Sequence, residues 1–374
     1  MHDIIDCHAH IFPPLAEACG LESPERHLVH QQRAMHVHGN QPYRRRRDNA
    51  ITDIRPLWDP KDPSEAGRAR DTNFRVGRYG RFEWDKDGES YYVQFLPPSM
   101  FDLSCPADYM VTQMDYAGVK SIVLQNDHIY GNLGSYFAEA MRKYPGRFIG
   151  LANVDEAFAY TDEQMAILER QITVDRMCGL YFTMTAYFRN GYAKLYDDPA
   201  YDPFWKRVAA AKWPVFWVHS AKSPLGDYGD EMRIFRRFLD RHPGMKHVLV
   251  HGIPTSVFAD EKEKLNFPKW MTEVMDNYPV YSEILFPIMW GGKMNFPFAR
   301  AHGHIRQLYD RFGPDKLLWG SDMPNVERYC TYRQTFSYVW DYCDFLTESD
   351  RAKIFRDNTL GLFGQNVSAR AAAD

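Results

Sequence analysis

The sequence predicts an α/β fold, a (β/α)8 TIM barrel with a roughly 100-residue insertion after its first strand, and three observations predict it. From Tyr109 onward, short β-rich runs alternate with longer helical patterns, the signature of βα units on a parallel sheet. With Asp3–His8 at the start, the β-rich runs number eight. No G-x-G-x-x-G loop follows the first run, so the signal for a dinucleotide-binding open sheet is missing.

Taken in order, Asp3–His8 is a short apolar run that ends in polar residues. The segment 11–110 then breaks the alternation, being long and rich in Pro and Arg. It falls where a barrel's functional loops begin, and so reads as a lid. Within it, Gly80–Trp84 and Ser90–Phe95 flank an Asp87-Gly88 step, the signal of a hairpin and of a small antiparallel sheet over the barrel mouth. The remaining strands are expected at Lys120–Gln125, Phe148–Val154, Cys178–Phe182, Val215–His219, His247–His251, Val280–Leu285 and Leu317–Gly320. Helical patterns lie between them at Ser135–Lys143, Asp162–Thr173, Phe204–Ala211, Asp230–Arg241, Ala299–Phe312 and Tyr332–Phe345, several stopped by Gly or Pro. The Ala-rich end, Ser368–Asp374, reads as a frayed tail.

A chain of 374 residues, 45% apolar and 25% charged, can bury one large core, so residues 1–374 are read as one barrel domain that includes the insertion. The balance of 45 basic and 49 acidic residues excludes a wholesale basic face, and no nucleic-acid partner is expected. No apolar run is long enough for a membrane span, and no secretory apolar region precedes the first strand. A cytoplasmic protein is expected. Six cysteines without C-x-x-C spacing read as free thiols.

The chemistry gathers at strand ends. His8 and His10 are two residues apart, so strand alternation puts both imidazoles on one face, with Cys7 and Ala9 on the other. Val215–Val218 and Val248–Val250 each deliver a histidine as an apolar run stops, His219 and His251. Leu317–Ser321 delivers Asp322 in the same way. Five metal-ligating or acid/base groups thus meet at the end of a barrel where active sites are built. The pairs His36/His38 and His302/His304 repeat the H-x-H pattern but read as surface histidines. The run Arg44-Arg45-Arg46-Arg47 places four guanidinium groups near the expected mouth, where one can pair with a substrate carboxylate. Glu283 and His128 are further polar candidates, and Phe182, Tyr187, Phe188, Phe286 and Trp290 are candidates for the walls of a flat pocket.

The strand-one Asp6-x-His8-x-His10, the strand-five His219, the strand-six His251 and the strand-eight Gly320-Ser321-Asp322-Met323-Pro324 resemble the motifs of the amidohydrolase superfamily. Within it, they resemble the group of aminocarboxymuconate-semialdehyde decarboxylase, the resorcylate and related aromatic-acid decarboxylases, and some hydrolases, lactonases and hydratases. The run Lys353–Phe363 looks like that group's closing helix. The resemblance implies one divalent metal held by His8, His10, His219 and Asp322, with His251 beside it as acid/base group. Zn²⁺ suits such a set first, with Mn²⁺, Fe²⁺ or Co²⁺ as alternatives. Binuclear members carry a carboxylated lysine on the fourth strand. The run Cys178–Thr185 has none, so a single metal is expected. Some decarboxylases of the group have Glu where this chain has His8. The activity implied is non-oxidative decarboxylation of a small aromatic or unsaturated carboxylic acid, and the alternative is hydrolysis of an amide, ester or lactone of such an acid. Either way His251 and Asp322 are the expected catalytic residues, Arg44, Arg45, Arg46, Arg47 and Glu283 the expected substrate contacts, and a homo-oligomer, a dimer, the expected assembly.

Overall fold

The first strand, β1 (Ile4–Ala9), is buried along its whole length. The structure, a computed structural model, describes residues 3–37, 41–53, 57–59, 61–62, 65–220, 222–284 and 295–364. After β1 the chain leaves the barrel and builds helix Pro24–Val37 and a five-stranded antiparallel sheet. Its strands are β2 (Tyr43–Arg45), β3 (Ile51–Thr52), β4 (Arg75–Val76), β5 (Arg81–Lys86) and β6 (Glu89–Gln94), in the spatial order β3-β2-β6-β5-β4. The expected hairpin is β5–β6. Its turn residues Asp87 and Gly88 have φ of 52° and 77°, the two positive values that a tight type I′ turn requires.

The barrel resumes with β7 (Val119–Leu124), β8 (Phe148–Ala152), β9 (Gly179–Thr183) and β10 (Val215–Val218). A short pair, β11 (Lys222–Ser223) and β12 (Gly226–Asp227), precedes β13 (His247–Leu249), β14 (Val280–Glu283) and β15 (Leu317–Leu318). Eight parallel strands in the order β1-β7-β8-β9-β10-β13-β14-β15, with helices between them, make a (β/α)8 barrel. All eight expected strands are present, most ending a residue or two early. Helices Asp162–Thr173 and Ala299–Phe312 have the expected bounds, whereas the one expected over Tyr332–Phe345 ends at Trp340. Leu285 and the tail Ser368–Asp374 lie outside the described residues.

Alternation divides the apolar residues into two layers. Val123, Ile149, Tyr181, Phe216, Val248 and Leu318 form one cluster inside the barrel. Leu124, Leu180, Trp217, Leu249 and Trp319 belong to the larger cluster shared with the helices and the insertion. Each such side chain, fully buried, contributes about 1.5–3 kcal/mol. Leu362 and Phe363 of the last helix, Asn358–Phe363, join the inner cluster. Asn358 ties that helix to the barrel by donating to the carbonyls of Pro314 and Leu317, each at 2.8 Å.

The first strand corrects one expectation. Cys7 was expected on the opposite face from His8 and His10, together with Ala9, yet Cys7 belongs to the inner cluster and Ala9 to the outer one. The pairing of β1 with β7 shifts register between Asp6 and Ala9, so strict alternation fails over these residues.

The barrel closes where β1 meets the chain leaving β15. Cys7 N–H donates to Trp319 O (3.1 Å), Asp322 N–H to His8 O (2.8 Å) and His10 N–H to Met323 O (2.8 Å). Gly320 permits this approach, since a Cβ there would lie 2.8 Å from His8 Cβ. The buried Asp6 carboxylate pins the seam. It accepts from the backbone N–H of His8 (3.0 Å) and Ser321 (2.8 Å), from Tyr332 OH (2.8 Å) and from the Ser321 hydroxyl. Burial raises its pKa to about 6, and the donors hold it below what burial alone would give. Asp6→Ala leaves these buried donors without an acceptor and should cost about 3–5 kcal/mol of unfolding free energy. Denaturant titration checks this; a midpoint unchanged from the parent protein would show that the seam does not depend on Asp6.

Candidate active site

Barrel closure sets three of the expected metal ligands side by side. His8 Nε2 and His10 Nε2 are 3.1 Å apart, and Asp322 Oδ1 lies 2.9 Å from the second and 3.5 Å from the first. All three side chains are buried. Their outer atoms are also fixed: His8 Nδ1 meets Glu283 Oε2 at 2.9 Å and His10 Nδ1 meets the Gln125 carbonyl at 2.8 Å. Because a carbonyl only accepts, His10 donates to it through Nδ1–H and presents Nε2 at the common point. Asn325 Nδ2 donates to Asp322 Oδ1 at 2.9 Å and to Tyr130 OH at 2.7 Å.

His251 joins this group from the end of β13, its ring centre 5.3 Å from that of His8. His251 and Asp322 adopt left-handed backbone, with φ of 65° and 58°, a strained conformation for residues with side chains. Gly252 makes the turn possible, because a Cβ there would meet the Glu283 carbonyl at 1.9 Å. Loss of water around the His251 ring, reinforced by His8, lowers its pKa to about 4. Burial opposes a charge on His8, but Glu283 and Asp322 outweigh it and its pKa is raised. Burial opposes a charge on Asp322 too, yet His10 and His8 hold its carboxyl below the ordinary range.

The fourth expected ligand, His219, stands outside this cluster. Its ring centre lies 5.0 Å from that of Phe235 and stacks over Trp217 at 6.0 Å. Among the described residues neither ring nitrogen has a hydrogen-bond partner, and Nδ1 is 3.6 Å from Glu231 Oε2. His219 and His251 together line a small cavity of about 30 Å³.

Above the trio is a cavity of about 600 Å³, whose walls include His10, His251, Asp322, Tyr130, Tyr181 and Phe95. Helix Pro24–Val37 contributes His30, Arg33, Ala34, Met35 and Val37 to it. Of the wall candidates, Phe188 lines the cavity, while Phe182 and Tyr187 pack in the outer aromatic layer. Phe286 and Trp290 lie outside the described residues.

Two expectations are corrected here. Arg44, Arg45, Arg46 and Arg47 do not line the cavity. They stand on and after β2, where each has an acceptor: Arg44 the Asn49 carbonyl, Arg45 Asp48, Arg46 Glu83 and Arg47 Glu89. Among the described residues, the arginines that line it are Arg33 and Arg328. Glu283, expected to contact substrate, lies behind His8. It accepts from Gln125 Nε2 (2.9 Å) and the His251 backbone N–H (2.7 Å) as well as facing His8. It fixes the site rather than lining it. Sequence reasoning missed Gln125 and Asn325 as supports of the trio; each follows a strand end, but neither residue type marks itself.

The family model described as amidohydrolase matches residues 5–365. The chain belongs to the amidohydrolase family. No curated protein matches it. Among solved structures, an amidohydrolase from Burkholderia multivorans with bound HEPES superposes with a TM-score of 0.55 at 12% identity, over 70% of this chain and 89% of that one. A protein described as a 2-pyrone-4,6-dicarboxylic acid hydrolase from Pseudomonas putida gives 0.54 at 15% identity, over 97% and 98% of the two chains. One of the same description from Acinetobacter baumannii, with citric acid bound, gives 0.53 at 15%, over 70% and 90%. At such identities these likenesses show the shared barrel.

The donor set of this amidohydrolase fits a divalent metal. Two imidazole nitrogens and a carboxylate oxygen within 4.8 Å of one another are the atoms that borderline cations bind. Each histidine is oriented from behind by an acceptor, Glu283 or a carbonyl, which is the support a ligating imidazole needs. All five residues of β9 are buried and none is lysine, so that strand offers no bridge for a second metal.

Replacing His8, His10 or Asp322 by Ala should therefore remove most of about one bound metal per chain. Glu283→Gln should keep the fold and weaken metal affinity about 10- to 100-fold. Elemental analysis after dialysis against graded chelator measures both; full metal retention by the His10→Ala protein would contradict this ligand set.

Proposed function

We propose that this amidohydrolase-family enzyme is a metal-dependent carboxy-lyase that removes CO₂ from a small aromatic or unsaturated carboxylic acid. The observation that carries the reading is the position of His251 beside the His8–His10–Asp322 trio, at the base of a cavity walled by Phe95, Tyr130, Tyr181 and Phe188. Aromatic walls accept a flat ring face to face or edge on. When bound, a divalent cation, Zn²⁺ first, supplies Lewis-acid polarisation of a substrate oxygen or of water.

The chain's own residues do the rest. His251 relays the proton, taking it from water and passing it to the ring or vinyl carbon as the C–C bond to CO₂ breaks. Asp322, held by Asn325 and His10, keeps negative charge at the trio. His219 is the fourth donor in this reading, supported by two nitrogens without a partner among the described residues and by Glu231 behind Nδ1; a change of its χ angles would turn the ring from Phe235 toward the trio. Helix Pro24–Val37 of the insertion forms one wall of the cavity.

Hydrolysis of an amide, ester or lactone of such an acid is the second reading. The family description and the 2-pyrone-4,6-dicarboxylic acid hydrolase that matches nearly the full length of this chain favour it. There the proton that His251 takes from water does not go to carbon. Isotope labelling separates the two. Metal-loaded protein incubated in H₂¹⁸O with a panel of small aromatic acids and their lactones should release one CO₂ per acid consumed, with no ¹⁸O fixed in the organic product. Product labelled with ¹⁸O and no CO₂ would replace the lyase reading by the hydrolytic one.

For either chemistry, His251→Asn should keep metal and fold while turnover falls about 10²- to 10⁴-fold. Metal content and kcat measured on the same preparation check this, and a metal-free variant protein would make His251 a ligand.

A further inference from the structure

Besides the trio and His251, the cavity holds another histidine with a carboxylate behind it. His128 opens the turn His128–Tyr130 after β7, and Glu156 opens the turn Glu156–Phe158 after β8, so neighbouring barrel strands deliver the two residues. His128 Nε2 is in close contact with Glu156 Oε2, while Glu156 Oε1 accepts the Thr183 backbone N–H at 3.1 Å. The Tyr201 hydroxyl donates to the Glu156 carbonyl at 2.9 Å and fixes the turn from behind.

The two side chains differ in access. Glu156 is sealed, whereas His128 keeps 17% of its side-chain surface exposed and lines the cavity. Because an ionised carboxylate only accepts, His128 donates to it through Nε2–H and has Nδ1 to spare. Nδ1 has no hydrogen-bond partner among the described residues and is open to solvent.

The surroundings set the charge on this ring. Burial opposes it, but Glu156 outweighs burial, Asp127 adds to the effect, and the pKa of His128 is raised. Arg189 acts the other way and is itself paired with Asp155. From helix Pro24–Val37, His30 stacks on His128 with ring centres 5.5 Å apart; burial and then the charge on His128 hold its own pKa well below the ordinary value, so it stacks as a neutral ring. In the charged form of His128, Nδ1 carries a proton, and a donor whose position is fixed in advance meets developing negative charge without reorganisation.

We propose that His128, oriented by Glu156, is a second catalytic group of this site, whose Nδ1–H bonds a substrate oxygen conjugated with the reacting carbon and out of chelating reach of the carboxylate. This rests on the carboxy-lyase reading, with the trio end of the cavity taking the carboxylate. When the reacting carbon accepts its proton, the conjugated oxygen becomes carbonyl-like. As the C–C bond to CO₂ breaks, its electron pair returns to the conjugated system and negative charge to that oxygen, where Nδ1–H meets it and stays on His128. A cavity of about 600 Å³ holds a benzene ring bearing both groups.

Calorimetric titration of the metal-loaded protein with benzoate and 4-hydroxybenzoate tests it, the ratio of the two affinities cancelling what pH does at the metal. At about pH 6, below the ordinary histidine value, 4-hydroxybenzoate should bind at least about 10-fold more tightly, because a charge-assisted hydrogen bond is added. The ratio should fall as pH rises through the raised His128 pKa, since the imidazolium is lost there. His128→Gln, whose amide reproduces Nε2 but has no counterpart of Nδ1, should bring the ratio to within about twofold, and Arg47→Gln should leave it unchanged. Glu156→Gln covers the case in which that variant fails to fold. Its amide can accept from Thr183 and donate to Nε2, which makes the ring neutral with its proton on Nδ1, so the ratio should drop at least about threefold and lose its dependence on pH. Equal binding of the two acids to the parent protein, a preference that survives His128→Gln, or an unchanged pH profile in Glu156→Gln overturns the proposal. The trio end is scored separately: benzoate affinity that survives removal of the metal by chelator counts against the reading of that end and leaves the His128 comparison intact.

Discussion

The seam between the first and eighth barrel strands is the constraint on which the site depends. Parallel strands satisfy one another laterally, so a barrel can close only if its two outermost strands also find partners. Here β15 is two residues long, and the pairing is taken over by irregular chain from Trp319 to Met323 bonded to Cys7–His10. The same bonds that close the barrel set the spacing of His8, His10 and Asp322. Stability and ligand geometry therefore share one set of backbone contacts. The Asp6 carboxylate, beneath His8, ties both chains at once.

Behind the trio, Glu283 does for the side chains what Asp6 does for the backbone. One carboxylate reaches His8, Gln125 and the backbone of His251, residues that belong to three different strand ends. Such a hub is costly to bury and is justified by preorganisation, because a ligating imidazole that can rotate loses affinity. The left-handed backbone at His251 and Asp322 is strain of the same kind, tolerated because packing and hydrogen bonds around it over-determine the conformation.

Much of this was legible in the sequence. Eight β-rich runs identify the barrel, and the four that lead into His or Asp announce the residues that serve at strand ends by type. What alternation could not show is the register shift in β1, which sends Cys7 inward against its expected direction. Nor could it show orientation inside the insertion. Four consecutive arginines look like an anion site, but on and just after β2 they are taken up by the Asn49 carbonyl and by Asp48, Glu83 and Glu89. Arg33, which does line the cavity, is an isolated arginine in a helix and gave no comparable signal. Its helix buries His27, His30, Gln31 and Gln32, and an insertion helix with a polar buried face was the clue available. His219 shows the converse case: its strand end was readable, but the direction of its ring depends on side-chain torsions that no sequence pattern encodes.

The insertion begins and ends at neighbouring strands, since β1 and β7 lie side by side in the sheet. It contributes one wall of the cavity while none of the trio, nor Glu283 or His251, belongs to it. Selection on this segment can thus reshape what enters the cavity without moving the atoms that act on it. In evolutionary terms, reaction and recognition are inherited on separate stretches of chain, and exchanging the stretch between β1 and β7 is a route to new substrates on an unchanged catalytic floor.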